Sequence, residues 1–498
     1  MAAPASHEKQ RGLALLFLLI LIGMAGAFFL VSAMNKSNAA LSLARDQKTQ
    51  AALDLAKRAL LSHVATVYAE KAMNSTLHSP NRGVPGYFPC PDTALPEGTS
   101  AGTCGASSVS TIGKFPWYTL NVEPPRDGSG ECLWYAVSGT YKYWPNGVNV
   151  DPAASSTSNM MNWDTPGLFD VLAADGSTYL AGGNPSARAV AVIFASGGVL
   201  SGQDRSGGSP GSICGGNYNA ANYLETANGI NNSSVSSGAG AVTQFIAGQA
   251  SATFNDKLVY ITRDEVWAAI KKLPDPSGVY PSLLQAKLNT LTQKVAQCIA
   301  KYGTQNSSGS GDKRLPWSTP LSLSNYAFDS LYDDTDGGMS GRVSYFADTS
   351  DSETNNSLSL PYYLFTTASY CYPGTLDDHD LNWYSNWKDH LFYALSGEFR
   401  PNTGSSTNSC TISTCVKVNG SGTLNAAVVM FAGERLAGQT RDTNADRANI
   451  ANYLEGPNAT NHPNSGGNSN YQSGAASATF NDLLYCIRQD LLSVVPCP

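Results

Sequence analysis

The first feature of the hydropathy pattern is a run of 21 residues without a charge, Leu13 to Ala33, with Lys9 and Arg11 just ahead of it. At ~1.5 Å per residue, a helix of that length crosses a ~30 Å hydrocarbon core. The upstream basic pair predicts a cytoplasmic N-terminus, with everything after Ala33 on the far side. From Ser37 to Met73 neither Pro nor Gly intervenes. Leu53, Ala56, Leu60, Val64 and Val67 recur at helical spacing there, with Lys57, Arg58 and Lys71 between them. The pattern predicts one helix from Leu13 to Met73, apolar in its first half (13–35) and amphipathic in its second (36–75). A plain single-span anchor and a cleaved secretory signal are the competing readings. The apolar run exceeds the ~7–15 residues usual for a signal.

Downstream the chain repeats itself. Ala250 to Asp256 (ASATFND) recurs unchanged at Ala476 to Asp482, and Asn219 to Glu225 (NAANYLE) returns as Asn449 to Glu455 (NIANYLE). Ala189 to Arg205 matches Ala426 to Arg441 with one deletion, and Leu133 to Gly139 matches Leu391 to Gly397. Lys114-Phe115-Pro116-Trp117 is set against Arg314-Leu315-Pro316-Trp317. Five blocks in one order indicate a duplication. Within them Ala189 to Phe194, Leu258 to Ile261 and Val428 to Phe431 read as buried strands. Pro281 to Tyr302 predicts an amphipathic helix, with Leu284, Leu288, Leu291, Val295 and Cys298 on or near one face. It stands ahead of the second unit as the stalk stands ahead of the first.

The basic leader ending in Gly12, the apolar span directly after it and the unbroken stalk resemble those of type IV prepilins and type II secretion pseudopilins. PCPDT (Pro89 to Thr93), the (F/L)PW element and DGSGECLWY (Asp127 to Tyr135) are similar to segments of large pseudopilin-like proteins. The resemblance implies cleavage by a prepilin peptidase between Gly12 and Leu13, followed by methylation. It implies an α+β fold: a long N-terminal transmembrane/amphipathic helix, then two tandem helix-plus-antiparallel-sheet pilin-like domains. The expected divisions are a leader (1–12), the transmembrane half of the stalk (13–35), its amphipathic half (36–75), a first head domain (76–275) and a second helix with its head domain (276–498). Main-filament subunits of that family carry glutamate at the fifth mature position, where this chain has Phe17; minor tip subunits lack it too. The implied role is structural and not enzymatic: a minor subunit at or near the tip of a pilus or pseudopilus, contacting surfaces or cargo. Its partners would be other pilins through the N-terminal helix, the prepilin peptidase, and the bacterial inner membrane before assembly. The head would lie outside the cytoplasm, and later in a periplasmic or cell-surface filament. The alternative is an anchored extracytoplasmic adhesin that enters no filament.

Composition narrows the chemistry. Charged residues are 14% of the chain, against ~25% in ordinary soluble domains. The net charge of −7, with no Lys/Arg block, disfavours nucleic acid as a partner. The hydrophobic share of 42% and aromatic share of 10% exclude general disorder. All ten cysteines follow the apolar span, which reads as a disulfide framework. The local candidates are Cys90–Cys104, Cys410–Cys415 and Cys486–Cys497, and the absence of any CxxC argues against zinc. Asp333, Asp334 and Asp336, followed by Gly337 and Gly338, could supply oxygens to calcium, as tip pseudopilins resembling this chain do. DDTDGG lacks the EF-hand register, however, and a solvated acidic loop is the default; no cofactor is required. Two GxSxG strings, around Ser100 and Ser209, fall in Gly/Ser loops and not in a nucleophile elbow. Asn255-Asp256 and Asn481-Asp482 form either a duplicated catalytic pair or, as their recurrence favours, turn-setting residues. Trp383 to Trp387 (WYSNW) is the string most suited to binding a surface, with packing beneath a loop as its alternative.

Overall fold

The structure, a computed structural model, describes residues 24, 40–66, 84–142, 160–305, 314–345, 375, 378–401 and 409–498, except 103, 107, 209–211, 336, 463 and 465. The first element is helix α1 (40–66). Residues 40–48 are exposed, Leu41 and Leu43 among them; from Thr49 onward Ala52, Leu53, Ala56, Leu60 and Val64 form one buried stripe. Spacings of three and four residues keep that stripe on a single face.

The first sheet takes β1 (Thr111–Lys114), β2 (Trp134–Val137), β3 (Phe169–Leu172), β4 (Tyr179–Ala181) and β5 (Ala189–Ala195). A hairpin of β6 (Thr226–Ala227) and β7 (Ile230–Asn231) stands apart; β8 (Thr243–Ile246) and β9 (Lys257–Thr262) complete the sheet. Helices α2 (Arg263–Lys271) and α3 (Leu283–Gln305) follow. Thr262 and Glu265 cap α2 reciprocally, each side chain meeting the other's backbone N–H. The second sheet is ordered β10 (Ser340–Arg342), β11 (Leu391–Leu395), β13 (Asn425–Phe431), β15 (Leu483–Arg488), β16 (Val494–Pro496). Helix α4 (Asp378–Trp387) precedes β11, and β12 (Lys417–Val418) and β14 (Asn470–Tyr471) form a separate parallel pair.

This is a mixed α/β fold, which corrects the expected α+β arrangement of a long membrane helix and two antiparallel head domains. In the first unit β3 and β8 run parallel, and in the second β12 and β14 do. No helix among the described residues is long and apolar enough to cross a membrane. The expected transmembrane half, 13–35, lies outside the described residues apart from Met24.

Nor are the two units separate beads. The central strands β2, β5, β11 and β13 are buried on both faces, so they read as continuous apolar runs and not as alternating ones. One face of each sheet joins a single contiguous core: Tyr135, Val137, Ala191 and Ile193 from the first, Tyr393, Leu395, Val429 and Ile487 from the second. Leu60 of α1, Trp267 of α2, Leu288 of α3 and Trp387 of α4 fill the same core. The opposite faces cover two smaller cores, one around Trp134, Val192 and Phe194 and one around Phe392, Val428 and Met430. Each large side chain so buried contributes roughly 1.5–3 kcal/mol. Trp163 meets Trp387 edge-on at 4.6 Å between ring centroids, and Trp267 meets Trp387 at 5.6 Å. The WYSNW string is therefore interior: Trp383, Tyr384 and Trp387 are buried, which overturns its reading as a surface-binding motif.

Strand pairing fixes how the repeats correspond. Trp134 opposes Phe194, and Phe392 opposes Met430. β9 and β15 lie equivalently against β5 and β13, and a bulge falls at Ala189/Ala191 in one and at Asn425/Ala427 in the other. Residues 189–205 thus match 425–441 with no gap, and the deletion inferred from the sequence disappears. The (F/L)PW pairing is also corrected. Lys114 opposes Trp134 whereas Arg342 opposes Phe392, so Arg342 is the counterpart of Lys114. Asp92 bridges Lys114 and Thr319 bridges Arg342, which makes Phe88-Pro89-Cys90 the counterpart of Leu315-Pro316-Trp317. The close approach recurs too. A Cβ added to Gly113 would lie 2.6 Å from the Asp92 carbonyl, and one added to Gly341 would lie 2.0 Å from that of Thr319.

Candidate functional site

Two polar constellations merit the name of a site, one duplicated and one joining the units. The duplicated one begins in the loops leaving β5 and β13. Arg205 Nε donates to the Asn222 carbonyl at 3.0 Å and Nη1 to that of Gly197 at 2.9 Å; Arg441 does the same to Asn452 at 2.6 Å and Gly433 at 3.1 Å. Each guanidinium lies over a tyrosine ring, Tyr223 at 4.8 Å and Tyr453 at 4.3 Å. Two residues earlier, Gln203 Nε2 donates to Glu225 Oε1 at 2.6 Å, and Gln439 Nε2 to Glu455 Oε1 at 2.9 Å.

The Asn-Asp pairs close the constellation. The Asn255 backbone N–H donates to Glu225 Oε2 at 2.9 Å, and that of Asn481 to Glu455 Oε2 at 3.0 Å. Asp256 Oδ2 accepts from the Glu225 N–H at 2.9 Å and from Asn232 Nδ2 at 3.1 Å. Asp482 Oδ2 accepts from the Glu455 N–H at 3.0 Å and from Asn458 Nδ2 at 2.8 Å. Asn255 and Asn481 each donate Nδ2 to a backbone carbonyl, Gly198 and Glu434, at 2.7 Å. Burial, then the charge of the neighbouring glutamate, pushes Asp256 and Asp482 well above the ordinary carboxylate range. The turn-setting reading of these pairs is corrected: their side chains bond loops 24 to 57 residues away and not the amides of their own turn, so each pair ties separate loops together. What the sequence reading missed is their partners, Glu225 and Glu455, although both end a repeated NxANYLE block.

The second constellation arises where the copies differ. By strand register, Glu131-Cys132 of the first unit corresponds to Asp389-His390 of the second. Cys132 is tied to Cys214 within its own unit. His390 instead reaches the other unit: its Nε2 lies 2.9 Å from Asp164 Oδ2 and 2.8 Å from Trp163 Nε1, while Nδ1 meets Asp389 Oδ1 at 2.8 Å. Arg441 Nη1 donates to Asp164 Oδ2 at 3.0 Å, and Arg435 Nε lies 3.2 Å from Oδ1. Asn162 Nδ2 of the first unit also donates to the Asn386 carbonyl at 2.8 Å. Burial alone would raise Asp164, but Arg441, the His390 hydrogen bond and Arg447 hold it well below the usual range. Asp389 is likewise lowered, since burial is outweighed by His390 and Arg447. His390, Asp389 and Arg441 have fully buried side chains. A histidine between two carboxylates has the parts of a proton relay, but here both of its nitrogens are occupied inside the core. Its chemical work is to clasp the units. A cleft of about 380 Å³ opens beside it, lined by Asn162, Tyr326, Asp442, Asn444 and Arg447.

The other sequence-derived candidates fall as follows. Cys90–Cys104, Cys410–Cys415 and Cys486–Cys497 are disulfides, as expected; Cys132–Cys214 joins them, and Cys298 is also disulfide-bonded. Asp333 is exposed and Asp334 buried, Asp336 lies outside the described residues, and no cluster of three metal-binding side chains occurs among the described residues. Ser100 sits in a loop, its N–H donating to Thr119 Oγ1 at 2.7 Å, and Ser209 is outside the described residues, as are Gly12 and Leu13. No family model matches the chain, and no curated protein or solved structure matches it either.

Proposed function

We propose that this protein is a structural, non-enzymatic subunit of an extracytoplasmic filament, a minor component at or near the tip of a type IV pilus or type II secretion pseudopilus. The reading rests on the likeness of residues 1–73 to prepilins, with Gly12 and Leu13 flanking the processing point and Phe17 in place of the shaft glutamate. One structural observation supports it. The first turns of α1, residues 40–48, are exposed with Leu41 and Leu43 uncovered and are tethered to the body by the Asp46–Lys257 pair at 2.7 Å, while the buried stripe begins at Thr49. Uncovered leucines on an exposed helical end are what a subunit would use to pack against neighbouring helices. The disulfides fit a head that folds outside the reducing cytoplasm. In this reading the inner membrane holds the chain before assembly, and other pilins and the prepilin peptidase are its partners.

The test is co-expression of the full chain with a prepilin peptidase, followed by intact-mass measurement. Loss of the twelve leader residues, leaving Leu13 as the new N-terminus, is the expected result. A chain that keeps Met1 in peptidase-competent cells overturns the filament reading in favour of a fixed, anchored adhesin.

A further inference from the structure

We propose that each unit holds one buried proton, shared between Glu225 and Asp256 in the first and between Glu455 and Asp482 in the second. This proton latches the loop carrying the glutamate to the residues that open β9 or β15. The inference stands apart from the filament reading and comes from counting donors. Both oxygens of Glu225 are engaged, by Gln203 Nε2 and by the Asn255 N–H. Asp256 Oδ2 takes two donors, from Glu225 and Asn232. That leaves Asp256 Oδ1, buried and without a hydrogen-bond partner beside a second carboxylate. The second unit repeats the arrangement, with Asp482 Oδ1 left over. A buried carboxylate oxygen with no donor is costly, and two carboxylates in contact resist both being ionised. One proton on the pair removes both penalties.

The charged neighbours are committed elsewhere. Among the side chains of this constellation Arg205 touches Gln203 Oε1, at 2.7 Å; its other bonds go to backbone carbonyls such as those of Asn222 and Gly197, and it pairs with Glu131 at 3.4 Å. Lys257, next to Asp256 in sequence, turns outward to Asp46 at 2.7 Å. In the second unit Arg441 touches Gln439 Oε1 at 3.3 Å and pairs with Asp164, while Glu434 pairs with Lys271 at 2.6 Å. A calcium ion would want six to eight oxygen ligands, whereas the pair leaves one carboxylate oxygen free. Burial, then the neighbouring glutamate, shifts Asp256 and Asp482 upward, the direction that a shared proton requires.

The sign of the pH dependence follows. A carboxyl raised in the folded state keeps a proton that the unfolded chain has already released. The latch is therefore fully present below the unfolded value, ~3.9, and is lost as pH rises through the folded one, by up to about tenfold in the folding constant per pH unit per latch. The test compares the full chain with the Asp256→Asn/Asp482→Asn variant, whose amides imitate the protonated acids at every pH. The unfolding midpoint of the wild type should fall relative to the variant as pH rises. Parallel profiles from acid to alkaline pH overturn the proposal. Should the variant not fold, infrared spectroscopy of the wild type decides. A buried protonated-carboxyl band at neutral pH that vanishes on unfolding is expected, and its absence overturns the proposal.

Discussion

Replacing Asp164 by alanine tests the clasp between the units most directly. Asp164 belongs to the first unit, yet Arg441, Arg435 and His390 of the second unit converge on it at 3.0, 3.2 and 2.9 Å. Its removal leaves the Arg441 guanidinium, with none of its side chain exposed, without a counter-ion. Breaking a buried pair from one side costs about 3–5 kcal/mol, because the surviving charge is neither solvated nor balanced. Against a typical total of ~5–15 kcal/mol, that is a large share. The assay is urea unfolding followed by tryptophan fluorescence, since Trp163 and Trp387 sit beside the clasp at a ring separation of 4.6 Å. Combining Asp164→Ala with Arg441→Gln should cost less than the two single changes summed, with a coupling above about 1.5 kcal/mol in a double-mutant cycle. pH supplies a second reading. Asp164 is lowered in the folded state, so its contribution is present above the unfolded value of ~3.9 and is lost as pH falls below it. The alanine variant should lack that acid-side loss. A cost under about 1 kcal/mol, or strict additivity of the pair, would refute the clasp.

Three further outcomes are expected. Removing Cys132–Cys214, which closes a separation of 82 residues, should cost up to ~4.5 kcal/mol by chain entropy, against ~3 kcal/mol for Cys486–Cys497 with its separation of 11; calorimetry showing the reverse order would contradict this. Burial, together with the charge of Arg342, pushes His462 down to about 3. The unfolded chain therefore takes up that proton first, and stability falls as pH drops from ~6.5 toward about 3. His462→Phe should flatten that part of the profile, and an unchanged slope would remove His462 from the account. Leu41→Asp and Leu43→Asp, at exposed positions, should shift unfolding by no more than ~0.5 kcal/mol while reducing incorporation into filaments. A large loss of stability would mean that Leu41 and Leu43 are themselves held against the body.

What could be read beforehand follows the range of the interactions. The central strands were legible because burial on both faces gives runs such as Ala189–Ala195, and α3 was legible because Leu284, Leu288, Leu291 and Val295 mark one face. The three short-range disulfides were legible because few partners lie near. Cys132–Cys214 was not, since 82 residues of intervening chain leave no local signal. The parallel partners β12 and β14 are two residues each, too short for any periodicity to register. The false match of Lys114 to Arg314 came from comparing Phe-Pro with Leu-Pro strings, where only cross-strand register distinguishes the true counterpart. The WYSNW string misled because tryptophan serves surfaces and interiors alike. The clasp left no mark at all: Asp164 and His390 are unrepeated residues 226 positions apart.

At one equivalent place, the first unit closes on itself with a sulfur bridge, and its sibling spends the same position on its neighbour. The C-terminal half is therefore no free-standing module. Severed near residue 276, it would carry Trp387 bare of Trp163 and Trp267, and a guanidinium sealed in grease without its anion. Anyone dissecting this protein should cut at the rod and keep both lobes together.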